Sequence, residues 1–161
     1  MAYTTVEQRV LLSFTGDENH APRSHREAGV NVRPTVVIVE DHLGCLEGVS
    51  KLIERDYEVV AVAGNGKRAI TTALRCKPDV VILDVSLPEL DGISAAREML
   101  KNGLKSKILF LTVHEEPEFK EAAFRSGANG YVYKSQMTAD VLSALKEVLA
   151  GRTFVSRGPH E

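Results

Sequence analysis

The chain has 161 residues, a formal net charge of −2, 43% apolar and 26% charged residues, the profile of one ordinary soluble globular domain with room for a sizeable core. No basic excess makes nucleic acid or an anionic membrane the principal partner, and no apolar run approaches the ~18 residues of a membrane span. The two cysteines, Cys45 and Cys76, lack metal-ligand or CxxC spacing and read as buried free thiols.

Residues 1–33 differ in texture from the rest. RVLLSF is too short for a signal-peptide core, and acidic Glu7 precedes it, so a cytoplasmic location is expected. The stretch TGDENHAPRSHREAGVNVRP is polar, mixed in charge and rich in turn formers. Residues 1–33 therefore read as a flexible N-terminal extension, with at most a turn or two of helix around Val6 to Phe14. From Thr35 onwards strand-length apolar runs, TVVIVE, EVVAVA, DVVILD, KILFLT and GYVYK, alternate with segments of helical spacing. Leu46, Val49, Leu52 and Ile53 share one helical face, as do Ile70, Ala73 and Leu74. A third helix is expected after Gly92, a fourth over Pro117 to Arg125 and a last over Thr138 to Ala150. Pro117 suits a first-turn position, and Gly127 and Gly151 suit helix ends.

The strands are nearly continuous Val, Ile and Leu, which implies burial on both faces and hence a parallel sheet covered by helices. Five such units with right-handed crossovers make a doubly wound α/β domain over residues 34–151, with residues 152–161 as a tail or linker stub. Ligands of open parallel sheets bind beyond the carboxyl ends of the strands. Those ends carry Glu40 and Asp41 on the first strand, Asp84 on the third, Thr112 on the fourth and Lys134 on the fifth. The second ends in Gly64.

Carboxylates converging there would repel one another by roughly 4 kcal/mol per pair at about 4 Å and an effective dielectric near 20. A cation relieves such a cluster. An all-oxygen set without His or Cys favours a hard divalent ion, and Mg2+ retains waters and accepts phosphate oxygens. Lys134 adds a permanent positive charge and Thr112 a hydroxyl, which together equip a site to stabilise a transferring phosphoryl group. No Ser/His pair or thiolate competes as nucleophile, so a carboxylate must serve. Asp84 is the best candidate for phosphate acceptor, because the central strand would place it between the acidic pair and the lysine.

VVIVED, VVILDVSLPELDG, LFLT and GYVYKS, in this order and at these separations, resemble the receiver domain of two-component response regulators over about residues 35–151. EDH followed by Glu47 and Gly48, together with SGANGYVYK, makes the resemblance closer to the NarL/FixJ subfamily than to the chemotaxis receiver. The resemblance implies a flavodoxin-like (βα)5 fold with strand order 2-1-3-4-5 and a signalling switch, not a turnover enzyme. It implies that Asp84 accepts a phosphoryl group from a histidine kinase. Mg2+ would be bound by Asp41, Asp84 and the backbone carbonyl of Ser86, with Glu40 acting mainly through water. Lys134 would pair with the phosphoryl group and Thr112 would move to bond it. Tyr131 would swing between outward and inward positions, and the face of the fourth helix, fifth strand and fifth helix would serve a partner or a homodimer. Ser86 and His114 occupy positions that tune phosphoryl lifetime. Val113 is larger than the family's usual residue there and is expected to crowd the switch, and Leu43 replaces a usual proline. The subfamily's helix-turn-helix is not recognisable in the sequence given, so direct DNA binding by this chain is not expected.

Blander and rival readings stand beside these. An isolated Glu-Asp pair often caps a helix, a strand tyrosine often only packs, and His42 suits a cap better than a metal ligand. Gly64, Gly66 and Ala69 form G-x-G-x-x-A between a strand and a helix, with Asp84 about 20 residues on, the spacing of a dinucleotide-binding module. That alternative leaves the acidic pair, Thr112 and Lys134 unexplained. A P-loop fails at Ala61 and Arg68, a haloacid-dehalogenase-type phosphatase lacks its second acid because Ser86 stands there, and an FMN carrier lacks its phosphate cradle and aromatic sandwich.

Overall fold

A computed structural model describes residues 32–158; the expected helical turns around Val6 to Phe14 lie outside the described residues. Strands β1 (Thr35–Val39), β2 (Glu58–Ala63), β3 (Val80–Leu83), β4 (Lys107–Thr112) and β5 (Gly130–Tyr133) alternate with helices α1 (Leu43–Ile53), α2 (Gly66–Cys76), α3 (Gly92–Lys101), α4 (Pro117–Arg125) and α5 (Met137–Leu149). A 3-10 turn, Lys134–Gln136, links β5 to α5, and a two-residue strand β6 (Phe154–Val155) follows. All pairings are parallel, in the order β2-β1-β3-β4-β5-β6. The order 2-1-3-4-5 is as expected, with one further strand at the β5 edge.

Alternate side chains of β1, β3, β4 and β5 enter opposite cores. Val37, Val39, Val81, Leu83, Ile108, Phe110, Tyr131 and Tyr133 pack under Ala69 and Ala73 of α2, Met99 of α3 and Ala123 of α4. Val36, Ile38, Ile82, Leu109, Leu111 and Val132 pack under Leu46, Val49 and Ile53 of α1 and Val141, Ala144, Leu145 and Val148 of α5. The central strands are therefore buried beyond the first residues of β1 and β4, whereas β2, an edge strand, is only half-buried along most of its length. Leu52, Ile70 and Leu74 likewise line the core margins instead of its centre.

Helix α1 shares its face with α5, while α2, α3 and α4 lie on the other. Because α1 leads the chain leftwards from β1 to β2 and α5 leads it the opposite way to β6, the α5 crossover has the opposite hand to those before it. Parallel connections are nearly always right-handed; this one ends in only two paired residues. The end signals behave as expected: Pro117 opens α4, and Gly127 and Gly151 hold positive φ just beyond α4 and α5. Cys45 and Cys76 are free but only partly buried. Among the described residues no helix is long and apolar enough to cross a membrane.

One close approach positions the site. The N–H of Gly92 donates to Val85 O at 2.8 Å, and a Cβ on Gly92 would lie 1.8 Å from the carbonyl oxygen of Asp84. Helix α3 thus begins against the backbone of the strand-end aspartate, and only glycine fits. Gly92→Ala is expected to cost at least about 1–3 kcal/mol by overpacking. Gly64→Ala, whose Cβ would meet nothing within 4 Å, should stay within about 0.5 kcal/mol of the wild type. Urea denaturation of the two variants checks the contrast.

Candidate functional site: an acidic pocket at the strand ends

The C-terminal edge gathers the residues that strand topology predicts. Asp84 follows β3 directly; its N–H donates to Val39 O at 3.1 Å, so the backbone still follows the β1 ladder. Glu40 follows β1, and its N–H donates to Ala63 O at 3.0 Å. Both carboxylates are buried, while Asp41 is exposed. One oxygen from each of Glu40, Asp41 and Asp84 lies within 4.8 Å of the others.

Lys134, the first residue after β5, reaches into this cluster. Its Nζ lies 2.8 Å from Asp84 Oδ2 and 2.7 Å from Glu40 Oε2. Burial alone would lower the ammonium's pKa, but the hydrogen bonds to Asp84 and Glu40 outweigh it and hold the group above its ordinary value. The remaining carboxylate oxygens are oriented from nearby backbone: Ser86 N–H donates to Asp84 Oδ1 at 3.3 Å, and His42 N–H donates to Glu40 Oε1 at 3.0 Å. One lysine against three carboxylates leaves a formal charge of −2 in the pocket. With only hard oxygen donors, one of them on exposed Asp41, the set fits a divalent cation of the Mg2+ type.

Next to the acidic cluster lies a second group of contacts centred on His114. Thr112, fully buried at the end of β4, accepts a hydrogen bond from His114 N–H at 3.3 Å. Tyr131 is also fully buried, and its hydroxyl donates to His114 O at 2.8 Å. The His114 ring bonds Ser86 Oγ through Nε2 at 2.6 Å, and its Nδ1 lies 3.7 Å from Glu116. Phe119 of α4 stacks on the same ring at 4.0 Å. Tyr131 therefore occupies the inward of its two expected positions, and burial, reinforced by neighbouring Tyr133, pushes its phenol pKa up.

Some local roles differ from the expectation. Val113 is 64% exposed, so its bulk points to solvent instead of crowding Thr112. His42, as expected, caps α1, its Nδ1 accepting from Cys45 N–H. Glu40 holds Lys134 directly, in addition to its place in the acidic cluster. The Phe119 stack on His114 was not foreseen, because a partly buried aromatic on an amphipathic helix reads as ordinary packing. Cys45 also lies near the pocket unannounced; burial and the Glu40 charge raise its thiol to about 11, which suits no nucleophilic role.

The dinucleotide alternative meets an obstruction. Asn65 Oδ1 already caps α2 by accepting from Arg68 N–H at 2.8 Å. A Cβ on Gly66 would lie 1.9 Å from Leu90 O, so this glycine accommodates the β3–α3 loop of the protein itself. Asp41 of the acidic cluster, by contrast, is exposed.

The fold and site define a doubly wound α/β domain with a lysine-braced acidic pocket at its strand ends. Residues 36–146 match the response regulator receiver domain, and the chain belongs to that family. It is 32% identical to the transcriptional regulatory protein DegU of Brevibacillus brevis over 123 residues, covering 74% of this chain and 52% of that protein. Among solved structures it is similar to a LuxR-family two-component response regulator from Aurantimonas sp., with a TM-score of 0.74, 35% identity and coverage of 80% of this chain and 92% of the other. The signal receiver domain of NarL from Mycobacterium tuberculosis matches with a TM-score of 0.71 and 28% identity, covering 74% and 98% of the two chains. The chain spans just over half the length of curated relatives such as DegU and the oxygen regulatory protein NreC of Staphylococcus haemolyticus.

Removing the lysine leaves two buried carboxylates without their shared cation. Lys134→Met is expected to lose about 3–5 kcal/mol of stability at neutral pH in chelator-treated buffer. The pH sign follows from linkage. Because the folded-state pKa is raised, the contribution of Lys134 is complete below about pH 10.4 and is lost as pH climbs through the folded value. Urea titrations from pH 7 to 11 should show a wild-type advantage that narrows only at the alkaline end.

Proposed function

We propose that this chain is the phosphoacceptor of a two-component pathway. Asp84 takes a phosphoryl group from a cognate histidine kinase, and the added charge switches a protein-interaction or dimerisation surface built on α4, β5 and α5. The observation that carries this reading is Lys134 Nζ lying 2.8 Å from Asp84 Oδ2 within a pocket of three carboxylates. That is a buried nucleophile beside a fixed positive charge.

In the transfer, a carboxylate oxygen of Asp84 bonds to phosphorus as the bond from phosphorus to the donor imidazole nitrogen breaks, and that nitrogen takes up a proton. Asp41, Asp84 and the Ser86 carbonyl would hold Mg2+, which supplies positive charge to the phosphoryl oxygens. Lys134 exchanges part of its contact with Asp84 for one with the new group. Thr112 turns from His114 N–H to a phosphoryl oxygen, and Tyr131 responds through the His114 carbonyl it shares. Water attack at phosphorus later releases inorganic phosphate and restores the carboxylate. Ser86 and His114, joined by their side chains, set how readily that water arrives. The chain is thus a switch that catalyses only its own phosphorylation and dephosphorylation, and the expected setting is cytoplasmic.

Incubation with Mg2+ and acetyl phosphate is expected to add the mass of one phosphoryl group to the wild type. Asp84→Asn, or wild type in excess chelator, should gain none by intact-mass spectrometry. A gain in Asp84→Asn equal to that of the wild type would move the acceptor elsewhere. Replacing His114 by Ala should change the decay rate of the phosphorylated form without preventing its formation; identical decay curves would remove His114 from the lifetime-setting pair.

A further inference from the structure

Strand β6 lies where a five-stranded receiver sheet would end. It pairs Gly130 with Phe154 and Tyr131 with Val155, in parallel register. Phe154 packs into the core under α1 and α5. Val155, one residue on, therefore points to the opposite face, the face that holds the Tyr131 ring. Directly registered residues of neighbouring strands share a face and lie about 4.8 Å apart. Val155 accordingly flanks Tyr131 on the side towards which an outward-turning ring would have to move.

Ser156 fastens this strand. It is 2% exposed. Its N–H donates to Tyr131 O at 2.9 Å, and its Oγ accepts from Tyr133 N–H at 3.3 Å and donates to Asp140 Oδ2 of α5 at 2.6 Å. One side chain and its amide thus tie the backbone on both sides of Val132 to α5. On the other flank, the Tyr131 hydroxyl is held by His114 O and the ring meets Phe110 at 6.3 Å and Tyr133 at 5.7 Å.

We infer that β6 is a latch that keeps Tyr131 in its buried rotamer, and that Ser156 is the positioning residue that closes it. Two consequences follow. The middle of the α4–β5–α5 face is formed by β6 instead of a bare β5 edge, so any partner of that face meets Val155 and the outer side of β6. Release of β6 also gives Tyr131 its outward position, which makes the segment after α5 part of the switch. The functional consequence rests on the proposed role of Tyr131; the latch itself is tested without any phosphodonor.

The experiment uses the full chain labelled with 3-fluorotyrosine, the Tyr131 resonance being assigned with Tyr131→Phe. Ser156→Pro removes the N–H to Tyr131 O and the hydroxyl together, while Ser156→Thr keeps both. Amide exchange at Tyr133 should accelerate about tenfold or more in Ser156→Pro. The Tyr131 fluorine signal should shift towards the solvent-exposed value or broaden. Ser156→Thr should match the wild type in both readouts. An unchanged Tyr133 exchange rate would mean that the latch does not form. Faster exchange with an unmoved Tyr131 signal would mean that β6 does not hold the ring. Either result overturns the inference and leaves phosphorylation of Asp84 untouched; failure of Asp84 to accept phosphate leaves both readouts valid.

Discussion

The ammonium of Lys134 lies between two buried carboxylates, and the geometry of the whole strand-end face depends on it. Glu40 and Asp84 are supplied by different strands, and each is nearly excluded from water. At close range in an environment of intermediate dielectric, two such charges repel by about 4 kcal/mol. Lys134 offsets that repulsion only because β5 delivers it in register. Tyr133, the residue before it, pairs with Thr112, while β4 pairs with β3 and β3 with β1. A slip of one residue in any ladder would reverse the side chains of that strand and take its functional residue out of the pocket. The same contact explains why the pocket suits a divalent ion: one lysine satisfies the inner side of the cluster, and the exposed carboxylate of Asp41 remains on the outer side.

Around this contact the structure divides into a fixed and a lightly held part. The Asp84 side is fixed by backbone. Its amide is in the β1 ladder, α3 starts against its carbonyl, and Asp91 caps that helix by accepting from Ser94 N–H at 2.9 Å. Burial acts to raise the pKa of Asp91, but its hydrogen bonds from Ser94 prevail and lower it, as a charged cap requires. The β4–α4 segment is held differently. Thr112, Tyr131, Ser86 and Phe119 all converge on one residue, His114, through three hydrogen bonds and one ring stack. Glu116, the residue before α4, makes no side-chain capping bond, so α4 begins with Pro117 alone to set its first turn. A segment with few independent anchors is the one able to rearrange at modest cost.

Most of the fold and the charged centre of the site were legible in the sequence because both follow from period and polarity. Uninterrupted Val/Ile/Leu runs mark buried parallel strands, and an ionisable residue closing such a run must emerge at the sheet edge. EVVAVA and KILFLT coincide with β2 and β4 to the residue. Strand β6 was not legible. Two residues carry no period, the surrounding GRTFVSRGPHE is rich in turn formers, and the hand of the α5 crossover is the one that topology rules discount. The inward setting of Tyr131 and the solvent-facing setting of Val113 also escaped, since a rotamer is chosen by neighbours that the linear sequence does not identify. Gly66 shows the converse failure. It fits a nucleotide-binding spacing, yet the β3–α3 loop, remote in sequence, occupies the space that its missing side chain leaves.

The division between fixed and lightly held parts bears on how a phosphoryl group at Asp84, as proposed, would be felt at a distance. Thr112 must give up one neutral hydrogen bond, from His114 N–H, worth about 1 kcal/mol net, to gain a charge-assisted one worth roughly 1.5–3 kcal/mol. The difference is small but falls on the contact with His114, whose carbonyl also anchors Tyr131. A surplus of about 0.5–2 kcal/mol shifts a two-state balance some two- to thirtyfold. That is enough to move a ring already near balance, and too little to move one locked by several kcal/mol. The Tyr131 hydroxyl bonds His114 O, its backbone carbonyl accepts from Ser156 N–H, and the proposed latch adds β6 to what holds the ring. On the proposed role of Tyr131, the responsiveness of the face built on α4, β5 and α5 would therefore be set by how firmly that last short strand is held, and not by the chemistry at Asp84 alone.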